Sequence, residues 1–258
     1  MNKWVRESVR IANSPGYLDR LSHIYVMRVN PERPLPHDVA VKMQIAFKKR
    51  RSKALIRLLL NHAEVFPVKD SYVGFLRIKP NAILENPKTT RRIAKRLYSL
   101  GPRRMIQEAT RPIETNRQLG NMFQKWLGTL GYKSVNEETM LKSKKGIVIL
   151  EGGDKAKAGF ARRKLGCKLR KGIDLVIKKD KEYIIGEAKF LTTPGGEQDG
   201  GFYDAQSFVK GKSGYASRIA IVDGYIWLRT LKGIHAKIMR SDENIMTALL
   251  LKKFIRSL

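Results

Sequence analysis

Two short apolar runs, Ile173-Asp174-Leu175-Val176-Ile177 and Tyr183-Ile184-Ile185-Gly186-Glu187-Ala188, flank the polar stretch Lys178 to Glu182. Runs of this length, rich in β-branched residues and joined by a turn, predict a β-hairpin. Their near-continuous hydrophobicity predicts buried strands. With the helices and strands expected around it, the hairpin makes an α/β (α+β) core.

The surrounding pattern supplies such helices. Glu114 to Leu130 carries Leu119, Met122, Phe123, Trp126, Leu127 and Leu130 on one stripe, closed by Gly131. Further elements are expected as a helix over Phe202 to Val209, strands over Arg218 to Val222 and Ile226 to Leu231, and a helix over Asp242 to Ser257. The first 110 residues read as mainly helical. One helix is expected from a cap at Asp38 through Leu60, and another over Thr89 to Leu100. The texture therefore divides the chain into a helical region, 1–110, and a core, 111–258.

Charge sets the class of partner. Lys and Arg number 52 against 23 Asp and Glu, a net charge of +29. The excess is 23 against 8 before Arg111 and 29 against 15 from it onward, so neither half is merely a basic tail. At 42% hydrophobic residues the chain is no disordered polycation. Such a chain attracts polyanions, of which nucleic acid is the commonest in cells. An anionic membrane surface is the competing partner, but it calls for one basic amphipathic segment rather than dispersed charge. No apolar run approaches the roughly 18 residues of a membrane span, and the first residues lack a signal-peptide pattern. A cytoplasmic location is therefore expected. The lone Cys167 excludes a disulfide framework or a Cys-cluster zinc site, and His23, His37, His62 and His235 show no ligand spacing.

The hairpin itself contains the chemistry. Asp174 and Glu187 are carboxylates in apolar settings, costly unless a cation or a donor answers them. With the turn near Asp180 they fall opposite each other, and two converging carboxylates with room for water describe a Mg²⁺ site. Lys189 lies two residues beyond Glu187, on the same strand face. There it can contact a phosphate oxygen or orient water. The bland alternative is a surface carboxylate–lysine pair on a hairpin.

Gly172-Ile173-Asp174 followed by Ile185-Gly186-Glu187-Ala188-Lys189 resembles the PD-(D/E)XK nuclease motif, and the run Phe190 to Ala205 is similar to one in a group of type II restriction endonucleases. The likeness continues through Val222-Asp223-Gly224 and the Met246 to Leu251 segment, covering roughly Glu114 to Leu258. It implies a restriction-endonuclease-like mixed central sheet flanked by helices, with Asp174, Glu187 and the Ala188 carbonyl as Mg²⁺ ligands and Lys189 as the catalytic lysine. It also implies cleavage of double-stranded DNA by a homodimer at a short palindrome, CGCG if the likeness extends to one characterised member of the group. Two departures stand out. Ile173 replaces the proline that often precedes the aspartate, and Gln124 stands where a helix-borne glutamate is common, leaving Glu114 as the nearest substitute.

DNA contacts are expected from both regions. Lys48, Lys49, Arg50 and Arg51 follow Met43 and Gln44 on one expected helix, with Met43 as a candidate wedge between base steps. Arg162 and Arg163 precede the hairpin, and Gln198 lies in the glycine-rich stretch Gly195 to Gly201, read as a loop able to approach base edges. The rival readings are a repair or junction-resolving nuclease and a non-catalytic architectural protein.

Overall fold

A computed structural model describes residues 1–26, 34–111, 118–212, 214–229 and 233–258, without the side chains of 196–198. The chain divides into two compact units, Met1–Met27 with Thr115–Leu258, and Arg28–Glu114.

In chain order the helices begin with α1 (Lys3–Ala12) and α2 (Tyr17–Ser22). The second unit follows as α3 (His37–Lys48), α4 (Ser52–His62), α5 (Val73–Ile78), α6 (Ala82–Glu85), α7 (Pro87–Leu100) and α8 (Pro102–Thr110). Its core is built from Met43, Leu55, Ile56, Leu59, Leu76, Ile83, Ile93, Leu97 and Met105. The helix expected from Asp38 to Leu60 is two helices. The Arg50 N–H donates to Phe47 O at 3.1 Å and the Arg51 N–H to Ala46 O at 2.9 Å, with Arg50 at φ +52°. This pair of bonds closes α3 without a glycine and lets α4 fold back on it. Asp38 lies in the first turn of α3, paired with Lys42 at 2.9 Å, and is not its cap.

The other unit continues with α9 (Leu119–Gly128), β1 (Lys133–Val135), α10 (Glu137–Lys142), β2 (Ile147–Leu150), α11 (Asp154–Leu165), β3 (Leu175–Lys179) and β4 (Glu182–Leu191). It ends with α12 (Gly196–Lys210), β5 (Ala216–Gly224), α13 (Ile234–Met239), β6 (Ile245–Met246) and α14 (Leu251–Arg256). The described strands form one mixed sheet in the order β1-β2-β3-β4-β5-β6. β2, β3 and β4 are antiparallel neighbours, whereas β1–β2, β4–β5 and β5–β6 are parallel. The expected α/β class and mixed sheet are thus present, as is the hairpin, whose turn Asp180 makes at φ +53°.

Other expectations change. The stretch read as a glycine-rich loop is helical from Gly196, because α12 begins there. In the stretch expected as a strand, Ile226 to Leu231, a 3-10 turn, Tyr225–Trp227, takes up the start, and Thr230 and Leu231 lie outside the described residues. Gly224 at φ +102° breaks the strand, and the Trp227 indole donates to Val222 O at 2.7 Å, folding the chain back. The helix expected over Asp242 to Ser257 is shortened to α14, since Ile245 and Met246 pair with β5 instead.

Residues 1–26 group with the sheet although their texture resembles the helical half, so the compact units differ from a division at residue 110. A buried carboxylate fastens them. Asp223 on β5 is fully buried and accepts from Tyr25 Oη at 2.7 Å, from the Thr247 hydroxyl and from the Ala248 N–H at 3.2 Å. Burial pushes its carboxyl up to about 6, against hydrogen bonds from Thr247 and Tyr25 that pull it down. Between the ordinary carboxylate range and pH 6 the folded chain therefore holds a proton that the unfolded chain releases. Stability from this group is greatest at the acid end of that window and is lost as pH rises through 6. The Tm of Asp223→Asn minus that of the parent is expected to climb between pH 4 and pH 7. A flat difference would contradict this role.

Candidate active site

The site lies where β3 begins and β4 continues past it. Leu175 pairs with Gly186, so Asp174, one residue before β3, falls opposite Glu187. Opposed residues of an antiparallel pair share a face, and alternation along β4 puts Lys189 there too. The three residues singled out in the sequence are therefore brought together.

Each is held by a specific partner. The Ala188 N–H donates to Asp174 Oδ2 at 2.7 Å instead of to a neighbouring strand. By strand alternation the Ala188 carbonyl lies on the same edge, beyond the end of β3. The Asp174 carbonyl accepts from Gln124 Nε2 at 2.7 Å and from Lys157 Nζ at 2.9 Å, and Lys157 also donates to Gln124 Oε1 at 2.9 Å. Gln124 on α9 thus grips the backbone of Asp174. The other candidate for a helix-borne carboxylate, Glu114, lies outside the described residues.

Glu187 is the least comfortable group in the site. It is 2% exposed, and its Oε1 meets Lys171 Nζ at 2.6 Å and Lys189 Nζ at 2.8 Å. Its Oε2 is buried with no hydrogen-bond partner among the described residues. A buried carboxylate oxygen without a donor is costly. Burial also raises the Asp174 carboxyl above its usual range. The Ala188 N–H and Lys189 oppose that rise, while Asp154 and Glu187 add to it.

The donor set suits a hard divalent cation. It offers two carboxylates and a backbone carbonyl, all oxygen, and one carboxylate oxygen faces no proton donor. Among the described residues no three His, Cys, Asp or Glu side chains converge. The remaining ligands of a bound ion would have to be the carbonyl, water and substrate oxygens, as is usual for Mg²⁺.

Sequence reasoning singled out neither Lys157 nor Lys171. Lys157 is almost fully buried on α11, and burial lowers its ammonium pKa, with Asp154 and Asp174 acting the other way. Its only signal was a lysine set among the alanines, glycine and phenylalanine of Ala156 to Ala161. Replacing it by methionine removes the second donor to the Asp174 carbonyl, so cleavage is expected to fall about tenfold or more while DNA affinity stays unchanged. Equal turnover in Lys157→Met and the parent would exclude a positioning role.

The expected DNA contacts divide. Met43 is fully buried in the helical core, so it cannot enter a groove: its place on α3 faces α4 and not solvent. Gln44, Lys48, Lys49, Arg50 and Arg51 are exposed, but across the α3–α4 turn and not on one helix. Arg50 also stacks its guanidinium over Tyr98, 4.5 Å from the ring centre. Arg162 is exposed, whereas Arg163 is tied to both oxygens of Glu137 at 2.8 and 3.0 Å. The Gln198 side chain lies outside the described residues. No helix among the described residues is long and apolar enough to cross a membrane.

A model of one protein family, described as the Tsp45I type II restriction enzyme, matches residues 2–258, nearly the whole chain. No curated protein and no solved structure matches.

Proposed function

This chain belongs to the Tsp45I type II restriction enzyme family, and we propose that it is a Mg²⁺-dependent endonuclease of the PD-(D/E)XK type. In this reading it cuts both strands of DNA at a short twofold-symmetric site. The observation that carries the proposal is the buried, donor-free Glu187 Oε2 beside an Asp174 anchored directly across the hairpin.

Asp174, Glu187 and the Ala188 carbonyl would hold the ion. Once bound, it supplies positive charge against the phosphodiester oxygens and acidifies adjacent water. The protein's own groups do the rest. Gln124 and Lys157 fix the Asp174 backbone, and the Ala188 N–H fixes its carboxylate. The Lys189 ammonium, one-third exposed, is free to donate to a non-bridging phosphate oxygen and to orient the attacking water. Water adds to phosphorus in line with the departing O3′; the P–O3′ bond breaks, leaving a 5′-phosphate and a 3′-hydroxyl.

Symmetric cutting of both strands calls for two centres related by a twofold axis, hence a homodimer. The exposed cluster Lys48, Lys49 and Arg51 is assigned to phosphates, together with Arg162, while Gln44 and Gln198 are assigned to base edges. Lys49→Gln should weaken binding evenly across sequences and lower the salt dependence of log K by about 1. Gln198→Ala should lose activity at the preferred sequence more than general affinity, and an unchanged preference would remove it from readout.

Plasmid digestion tests the proposal. With Mg²⁺ we expect discrete fragments, whose mapped ends give both the site and the cut position, and EDTA should stop cutting while DNA remains bound. A smear would favour a non-specific nuclease. Binding without cutting would favour an architectural protein.

A further inference from the structure

Glu187 Oε1 carries two ammonium groups, yet the two lysines are not equivalent. Lys189 rides on β4, and its position is set by the strand. Lys171 lies between α11 and β3, is about half exposed, and reaches a second carboxylate, Asp204 Oδ2 on α12, at 3.3 Å. Two ammonium groups against the carboxylates of Asp174 and Glu187 leave no net negative charge to draw a divalent cation in. Asp204, 66% exposed at its side chain, offers Lys171 another partner without a change in fold. The Asp204 pair is open to solvent, whereas the Glu187 pair is buried on its carboxylate side, so the ammonium can leave Glu187 at little cost only when another cation takes its place there.

We propose that Lys171 is a positioning residue that competes with the divalent cation: it spans Glu187 and Asp204 when the site holds no ion, and withdraws to Asp204 when an ion enters. Resting on the metal-site reading above, this adds an element to it, a reversible stopper that keeps the buried carboxylate satisfied until the ion arrives.

Mn²⁺ binding to the full chain without DNA, followed by the paramagnetic resonance of free Mn²⁺, reads the competition directly. Lys171→Met should tighten binding roughly five- to tenfold, and Asp204→Asn should weaken it by a similar factor. A plain field effect of Asp204 would survive in the Lys171→Met background, whereas the competition requires the Asp204→Asn effect to vanish there. An Asp204→Asn effect that persists undiminished overturns the proposal. So does equal affinity in the parent, Lys171→Met and Asp204→Asn, if Glu187→Gln abolishes binding; the metal site itself would then stand. Mn²⁺ binding untouched by Glu187→Gln overturns the metal site and the competition together.

Discussion

Asp174→Ala and Glu187→Ala should each lower plasmid cleavage by about a thousandfold or more while leaving DNA binding in place. Neither change should unfold the protein, because neither residue is an apolar part of the core. Asp174 has its backbone carbonyl gripped by Gln124 and Lys157, and that grip survives loss of the side chain. Glu187 is a buried carboxylate with one oxygen unanswered, so its neutral isostere glutamine should fold with undiminished, or even raised, Tm. A site kept at some cost in stability and required for turnover is one maintained for chemistry. Full activity in either variant would remove the proposed centre, and a collapse in Tm would recast both residues as structural.

The second large effect concerns the far end of β4. Leu191 closes β4 and pairs with Gly224 at the end of β5. A Cβ at Gly224 would lie 1.9 Å from Leu191 O and 2.8 Å from Leu191 C, both backbone atoms that cannot rotate away. The residue also stands at φ +102°, open to glycine and strained for other residues. Overpacking and backbone strain together predict a loss of about 4 kcal/mol for Gly224→Ala. In a chain of this size that corresponds to a fall of roughly 10 °C in Tm. Thermal unfolding checks it, and a Tm within about 2 °C of the parent would mean that the β4–β5 edge yields more easily than the packing implies.

The hairpin was legible because its signal is local. Strand-length apolar runs, a polar turn and the pairing of 174 with 187 all follow from spacing, and the register of Leu175 with Gly186 agrees with them. What escaped depends on contacts distant in sequence. Residues 1–26 look like any amphipathic helical segment, and only contacts far apart in sequence, such as Tyr25 with the buried Asp223 and Trp4 with Phe254, show where they dock. Met43 and Gln44 are neighbours in sequence, yet α3 turns one inward and the other outward, a distinction of helix phase that a basic cluster nearby obscured. Lys48 to Arg51 looked continuous with the helix because a non-glycine stop at Arg50 has no residue signature. Lys157 and Lys171 were hidden for another reason. In a chain of net charge +29 a lysine near a carboxylate is commonplace, and only the contacts to the Asp174 carbonyl and to Glu187 Oε1 set these two apart.

The proposed cation site has a direct crystallographic test. Crystals of the protein soaked in Mn²⁺ and measured at its absorption edge should show one anomalous peak about 2.0–2.3 Å from carboxylate oxygens of both Asp174 and Glu187, with the Ala188 carbonyl close by. Mn²⁺ bound elsewhere, with Lys171 and Lys189 still closed on Glu187 at saturating ion, would contradict the account.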